Sequence, residues 1–115
     1  MSLKIDCKHE TLLVQIQGDF DLVSAAEFRQ KVDMALDDLR PRHLILDLSK
    51  VTFIDSSGLG VILGRLKKIQ FKKGRMFLIG VKPAVRKVLN LSGIMPLLQI
   101  CQNEQQVFQL LRKEA

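Results

Sequence analysis

The stretch Thr52-Phe53-Ile54-Asp55-Ser56-Ser57-Gly58-Leu59-Gly60-Val61-Ile62-Leu63-Gly64-Arg65 constrains the chain more than any other. Ahead of it, Arg42 to Leu48 reads as a strand. Behind it, Leu59, Ile62, Leu63, Leu66 and Ile69 recur at the i, i+3, i+4, i+7 spacing of a buried helix face. Asp55, Ser56 and Ser57 therefore sit at a strand-to-helix hinge, where aspartate or serine can accept hydrogen bonds from the helix's orphan amides. Gly58, Gly60 and Gly64 each cost a helix roughly 1 kcal/mol relative to alanine, so propensity does not account for them. Gly60 and Gly64 share one face, and that spacing predicts close approach by another backbone, internal or from a partner.

The rest of the chain alternates strands and helices around this hinge. Leu3 to Lys8 and Thr11 to Gln17 are strands joined by a tight His9-Glu10 turn, and Gly18-Asp19-Phe20-Asp21 breaks the pattern. Ser24 with Glu27 reads as a capping box opening a helix whose buried stripe is Ala25, Phe28, Val32, Ala35, Leu36 and Leu39. Pro41 stops it. A helix from about Ser57 to Phe71 ends in Lys72-Lys73-Gly74, with the glycine as its cap. Met76 to Val81 is a strand, Pro83 to Leu91 a helix closed by Gly93, and Leu97 to Cys101 a short strand. Asn103 with Gln106 opens a last helix that buries Val107, Leu110 and Leu111. The alternation predicts one α/β domain over residues 1–115, with a mixed, mostly parallel sheet of about five strands and some four helices.

Several kinds of chemistry find no support. The two histidines, His9 and His43, lie far in sequence from the serines, and Asp55 or Ile54 stands where a nucleophile elbow requires glycine. No Gly-Lys-Ser/Thr follows the glycines, so the stretch is not a phosphate-binding loop. Asp6, Asp19, Asp21, Asp47 and Asp55 lack metal-ligand spacing and read as turn and cap residues. Catalytic residues, a metal and a cofactor are accordingly not expected. Cys7 and Cys101 read as separate reduced core thiols. No apolar run approaches the roughly 20 residues of a membrane span, and polar residues interrupt the start, which points to the cytoplasm. The net charge is +6, with no Asp or Glu between Asp55 and Glu104 and nine Lys or Arg from Arg65 to Lys87. This band reads either as a solvated face or as an attraction for an acidic partner. Nucleic acid is disfavoured as that partner: phenylalanine is the only aromatic, and no recognition motif is present.

A serine at a helix N-terminus is also suited to phosphorylation, because the phosphate meets free amides and the favourable end of the dipole. Residues Phe53 to Arg65 resemble the signature of the STAS domains (sulphate transporter and anti-sigma factor antagonist), and more narrowly that of the anti-sigma F factor antagonists of spore-forming bacteria. Gly18-Asp19-Phe20-Asp21, Lys82-Pro83-Ala84-Val85 and Leu91-Ser92-Gly93 extend the resemblance along the chain. It implies a non-enzymatic protein whose unphosphorylated form binds an anti-sigma factor that is also an ATP-using serine kinase, freeing the sigma factor for transcription. It implies phosphorylation at Ser56 and reversal by a serine phosphatase. Asp55, Ser57 and Gly58 match the rest of the motif, and Asp21 matches a loop aspartate beside the modified serine. Leu59, Gly60 and Gly64 complete the expected partner-binding surface. Where sporulation members often carry two histidines, this chain has Leu22-Val23. A second implication is an adaptor subunit of a stress-response or lipid-transport complex without a phosphorylation switch.

Overall fold

The computed structural model describes residues 1–114. Its element order is β1 (Ser2–Lys8), β2 (Thr11–Gln17), α1 (Leu22–Leu39), β3 (His43–Lys50), α2 (Ser56–Phe71), β4 (Met76–Ile79), α3 (Pro83–Leu91), a short 3-10 turn (Met95–Leu97), β5 (Ile100–Cys101) and α4 (Glu104–Glu114). The five strands form one sheet in chain order; β1 and β2 are antiparallel and every later pair is parallel. The mixed, mostly parallel α/β architecture expected from the alternation is present. His9 and Glu10 both have positive φ, 51° and 59°, so the first hairpin closes through a two-residue turn of type I′ character.

The apolar pattern divides the core by face. Leu12, Val14, Ile16, Leu44, Leu46 and Leu48 point to one side, where they pack with Phe28 and Val32 of α1, Ile62 and Ile69 of α2, and Val85 and Leu89 of α3. Ile45, Phe77, Ile79 and Cys101 point to the other side and are covered by Val107 of α4, with Phe108, Leu110 and Leu111 partly buried beside it. β3 buries Leu44, Leu46 and Leu48 on one face and Ile45 on the other, because both faces are covered there.

Two features lock α1 to α2. Asp33 receives Arg65 at 3.1 Å and Lys68 at 3.1 Å, and the Arg65 side chain is only 7% exposed. The Arg65 approach lies off the N–H axis, so it is an ion pair rather than a good hydrogen bond, and Arg65 Nη1 has no partner among the described residues. Arg65 thus belongs to the interior and not to the basic surface band. The second lock joins the loops before the helices. Gly18 N–H donates to the Lys50 carbonyl at 3.1 Å, Phe20 N–H to Phe53 at 2.8 Å, and Asp55 N–H to Phe20 at 3.2 Å. Phe20 and Ile54 form a parallel bridge, and both are buried.

Several local expectations change. The α1 box is Asp21 with Ser24, three residues earlier than Ser24 with Glu27; Ser24 is the third helical residue, and Glu27 pairs with Lys31 instead. Leu39 is exposed because the helix ends there, with Arg40 in the left-handed conformation. Leu63 is only partly buried. Lys73, not Gly74, takes the positive φ after α2. A Cβ at Gly74 would lie 1.7 Å from the Arg42 carbonyl oxygen, so that glycine serves close packing. β4 ends at Ile79 and β5 keeps only two residues, since the 3-10 turn takes up the residues before it. Cys7 is exposed on the edge strand and Cys101 is buried.

Close backbone approach occurs at Gly58, not at Gly60 or Gly64. A Cβ on Gly58 would lie 2.6 Å from the Phe20 carbonyl oxygen and 2.8 Å from Ile54 Cγ1; at Gly60 and Gly64 nothing lies within 4 Å. The internal alternative for Gly60 and Gly64 is therefore overturned. Gly58→Ala should destabilise the protein, while Gly60→Ala should stabilise it by up to about 1 kcal/mol through helix propensity. Ile62→Ala should cost about 2–5 kcal/mol and Leu63→Ala clearly less. Urea melts of the four variants check these signs, and a Gly58→Ala protein as stable as the parent would contradict the packing described.

Candidate functional site

The lock between the two loops brings two helix N-termini together at the carboxyl ends of β2 and β3. Each begins on an aspartate. Asp21 caps α1: its Oδ1 accepts from Ser24 N–H at 3.1 Å, while Asp21 N–H donates to Ser24 Oγ at 2.8 Å. Ser24 Oγ–H also reaches the Asp19 carbonyl at 2.7 Å, so one buried hydroxyl ties the loop to the helix. The Ser24 amide and hydroxyl hold the Asp21 carboxyl below its usual pKa range. Asp55 caps α2, its Oδ1 accepting from Ser57 N–H at 2.9 Å and Gly58 N–H at 3.2 Å.

Of the three hinge candidates, Asp55 does the capping and Ser56 is the first helical residue. Ser56 is exposed, and its hydroxyl has no hydrogen-bond partner among the described residues. Ser57 is half-buried and contributes its amide to the Asp55 cap, while Gly58 is buried under the Phe20 loop. Leu59 is half-buried against the core. Gly60 is exposed and Gly64 half-buried, with open space over both where a partner's backbone could lie. Asp21, Asp55, Ser56 and Gly58 are thus brought together, whereas Gly64 lies further along α2.

Sequence reasoning missed three residues of this surface. Leu22 is 71% exposed and Val23 80%, as the first two residues of α1, and Phe53 is 50% exposed on the loop that enters α2. The available signal was partial: Val23 falls outside the i, i+3, i+4 stripe of α1 and Phe53 stands in a loop, whereas Leu22 keeps the i, i+3 spacing to Ala25 and is exposed because it stands at the first position of the helix. Large apolar side chains exposed together mark interaction surfaces.

The basic band is weaker than its composition suggests. Arg65 is internal, Lys68 pairs with Asp33, Arg75 pairs with Glu114, and Lys72 reaches the Pro41 carbonyl. An open depression of about 950 Å³ lies at the opposite end of the strands from Ser56, lined by His9, Arg42, His43, Arg75 and Phe108 among others. His43 Nδ1 there accepts from Arg75 N–H at 3.0 Å, and burial together with Arg42 lowers its pKa, so the ring is neutral and structural. Among the described residues no group of three or more His, Cys, Asp or Glu could hold a metal ion, and no helix is long and apolar enough to cross a membrane.

Comparison with known proteins agrees with this geometry. Residues 2–107 match the STAS domain. The anti-sigma F factor antagonist of Paenibacillus polymyxa is 38% identical over 106 residues, covering 90% of this chain and 91% of the relative. The solved structure of the anti-sigma factor antagonist SpoIIAA in its unphosphorylated form superposes with a TM-score of 0.83 at 26% identity, covering 97% of each chain. The Bacillus cell fate determinant SpoIIAA in the phosphorylated form gives 0.74 at 25% identity, covering 95% of this chain and 99% of that one. Fold and sequence agree, and the chain belongs to the STAS domain family.

Proposed function

We infer that this protein is an anti-sigma factor antagonist switched by phosphorylation of Ser56. The unphosphorylated form binds an anti-sigma factor that is also a serine kinase and so releases a sigma factor. The kinase brings its own ATP, phosphorylation inactivates the antagonist, and a serine phosphatase restores it. The protein is a binding module, without catalytic residues of its own, and works in the cytoplasm. The observation that carries this reading is the exposed, unbonded Ser56 hydroxyl at the first turn of α2, at the end of the molecule that also exposes Leu22, Val23 and Phe53. A relative solved in a phosphorylated form adds support.

The physics of the switch follows from where the serine sits. A phosphoserine carries about −1.5 to −2 charges at pH 7. At a helix N-terminus the dipole favours that charge by about 0.3–1 kcal/mol, so the helix is retained. Asp55 keeps the Ser57 and Gly58 amides occupied, which leaves the phosphate in solvent. When a partner covers Leu22, Val23 and Phe53, the phosphate must lose water beside the Asp55 carboxylate. A misplaced charge at an interface costs on the order of 2–5 kcal/mol, or roughly thirty-fold to several-thousand-fold in affinity.

Incubation with the kinase recovered from the native cell, followed by mass spectrometry, tests the assignment. Phosphate is expected on Ser56. Phosphate on Ser57, or on neither serine, would contradict it. Ser56→Asp should fold normally and bind the anti-sigma factor at least about thirty-fold more weakly. Ser56→Ala should bind and resist inactivation, and Phe53→Ala should weaken binding without a change in fold. Co-purification of a transporter subunit in place of a kinase would favour the adaptor role instead.

A further inference from the structure

The outer edge of β1 carries a self-complementary pattern. β5 is only two residues long, so β1, with seven, is the one substantial free edge among the described strands. It contains neither proline nor glycine, and nothing covers it: only Leu3 is even half-buried, and Ile5 at its centre is 37% exposed. Backbone groups on such an edge are a template for another strand.

The hairpin fixes which amides are free. In a two-residue turn of this type the flanking Lys8 and Thr11 form the hydrogen-bonded pair, and the pattern alternates from there. Ser2, Lys4, Asp6 and Lys8 therefore bond to β2, while the amides and carbonyls of Leu3, Ile5 and Cys7 face outward. The Cys7 amide agrees, since it donates to its neighbour Asp6 Oδ1 at 2.8 Å rather than to β2.

We propose that β1 pairs antiparallel with β1 of a second copy of this chain, about a two-fold axis at Ile5. In that register Ile5 faces Ile5 of the second copy, Leu3 faces Cys7, and Lys4 faces Asp6 on both sides of the axis. All outward amides and carbonyls of Leu3, Ile5 and Cys7 then find partners. Asp6 gives up the Cys7 amide and takes Lys4 of the other chain in exchange. The neighbouring registers are worse. Moving the axis to Lys4 opposes the two Lys4 side chains; moving it to Asp6 opposes the two Asp6 side chains and sets Lys4 against Lys8. An axis at Cys7 also pairs opposite charges, but it leaves only three residues of each strand overlapping and takes Lys8 from its 3.1 Å contact with Glu104. The longest overlap is thus the one with complementary charge.

A two-fold axis normal to the sheet keeps α1, α2 and α3 of both copies on one face of a continuous ten-stranded sheet. The two Ser56 sites fall at opposite ends, both open. The dimer would therefore present two docking sites at once, without either blocking the other.

Sedimentation velocity over a range of concentration tests the pairing on the full chain, whose monomer mass is 13.1 kDa. The parent protein should shift reversibly to twice that mass. Lys4→Asp and Asp6→Lys should each weaken dimerisation at least about tenfold, because each turns two attractive cross-strand pairs into repulsive ones. The Lys4→Asp/Asp6→Lys double variant should restore it. Both side chains are exposed, and circular dichroism confirms that the variants fold. In a Cys7→Ser background, Ile5→Cys should cross-link across the axis under mild oxidation. A monomer at all concentrations up to about millimolar, or a dimer indifferent to either charge reversal, would overturn the proposal. A spontaneous Cys7–Cys7 disulfide in the parent dimer would overturn the register.

Discussion

Everything at the Ser56 end of the molecule depends on the hydrogen bonds that join the Gly18–Asp21 loop to the Lys50–Asp55 loop. Phe20 donates to Phe53 and accepts from Asp55, and its ring is buried against Phe28 with centroids 5.1 Å apart. The same carbonyl oxygen of Phe20 stands 2.6 Å from where a Gly58 Cβ would be. One residue therefore links two loops, two helix starts and the core. The Asp33–Arg65 ion pair fixes the same two helices further along. A buried pair of this kind adds little net stability, but loss of Asp33 would leave a buried charge unpartnered.

This framework separates what holds the fold from what is left exposed. Asp21 and Asp55 spend their oxygens on helix amides, Gly58 is consumed by packing, and Ser57 lends its amide to the cap. The Ser56 hydroxyl, Leu22, Val23 and Phe53 are left over. A charge added to Ser56 would then meet a favourable dipole in the free protein and a desolvation penalty in a complex. A switch of the proposed kind would change affinity without needing two conformations. It differs in kind from regulation by order–disorder transitions.

How much of this was legible in the sequence varies with the physics involved. The order of elements followed from periodicity, because Leu44 to Leu48 and Ile62 to Ile69 show their spacing openly; the division of the core between two faces came only from the structure. The hinge was legible through Asp55, Ser56 and Gly58, and the family resemblance rested on the same residues. The α1 cap was misplaced because Ser24 and Glu27 fit the same box as Asp21 and Ser24 do; only backbone conformation distinguishes them. Gly60 and Gly64 looked like close-approach positions because spacing reports a shared face but not what stands opposite. Arg65 looked like surface charge because its partner, Asp33, lies on another helix. The exposed apolar patch was hidden for a similar reason: Phe53 reads as core by type, and only the path of the loop turns it outward.

Amide hydrogen exchange, compared between the unmodified protein and the protein phosphorylated at Ser56, tests most directly whether the phosphate acts at the surface of an unaltered framework. The Ser57 and Gly58 amides, bonded to Asp55 Oδ1, and the Phe20 and Asp55 amides of the loop lock should keep their protection after modification. Loss of protection through the first turn of α2, or along the Gly18–Asp21 loop, would show that phosphorylation works by unravelling the helix start, and would contradict a switch that acts by surface charge alone.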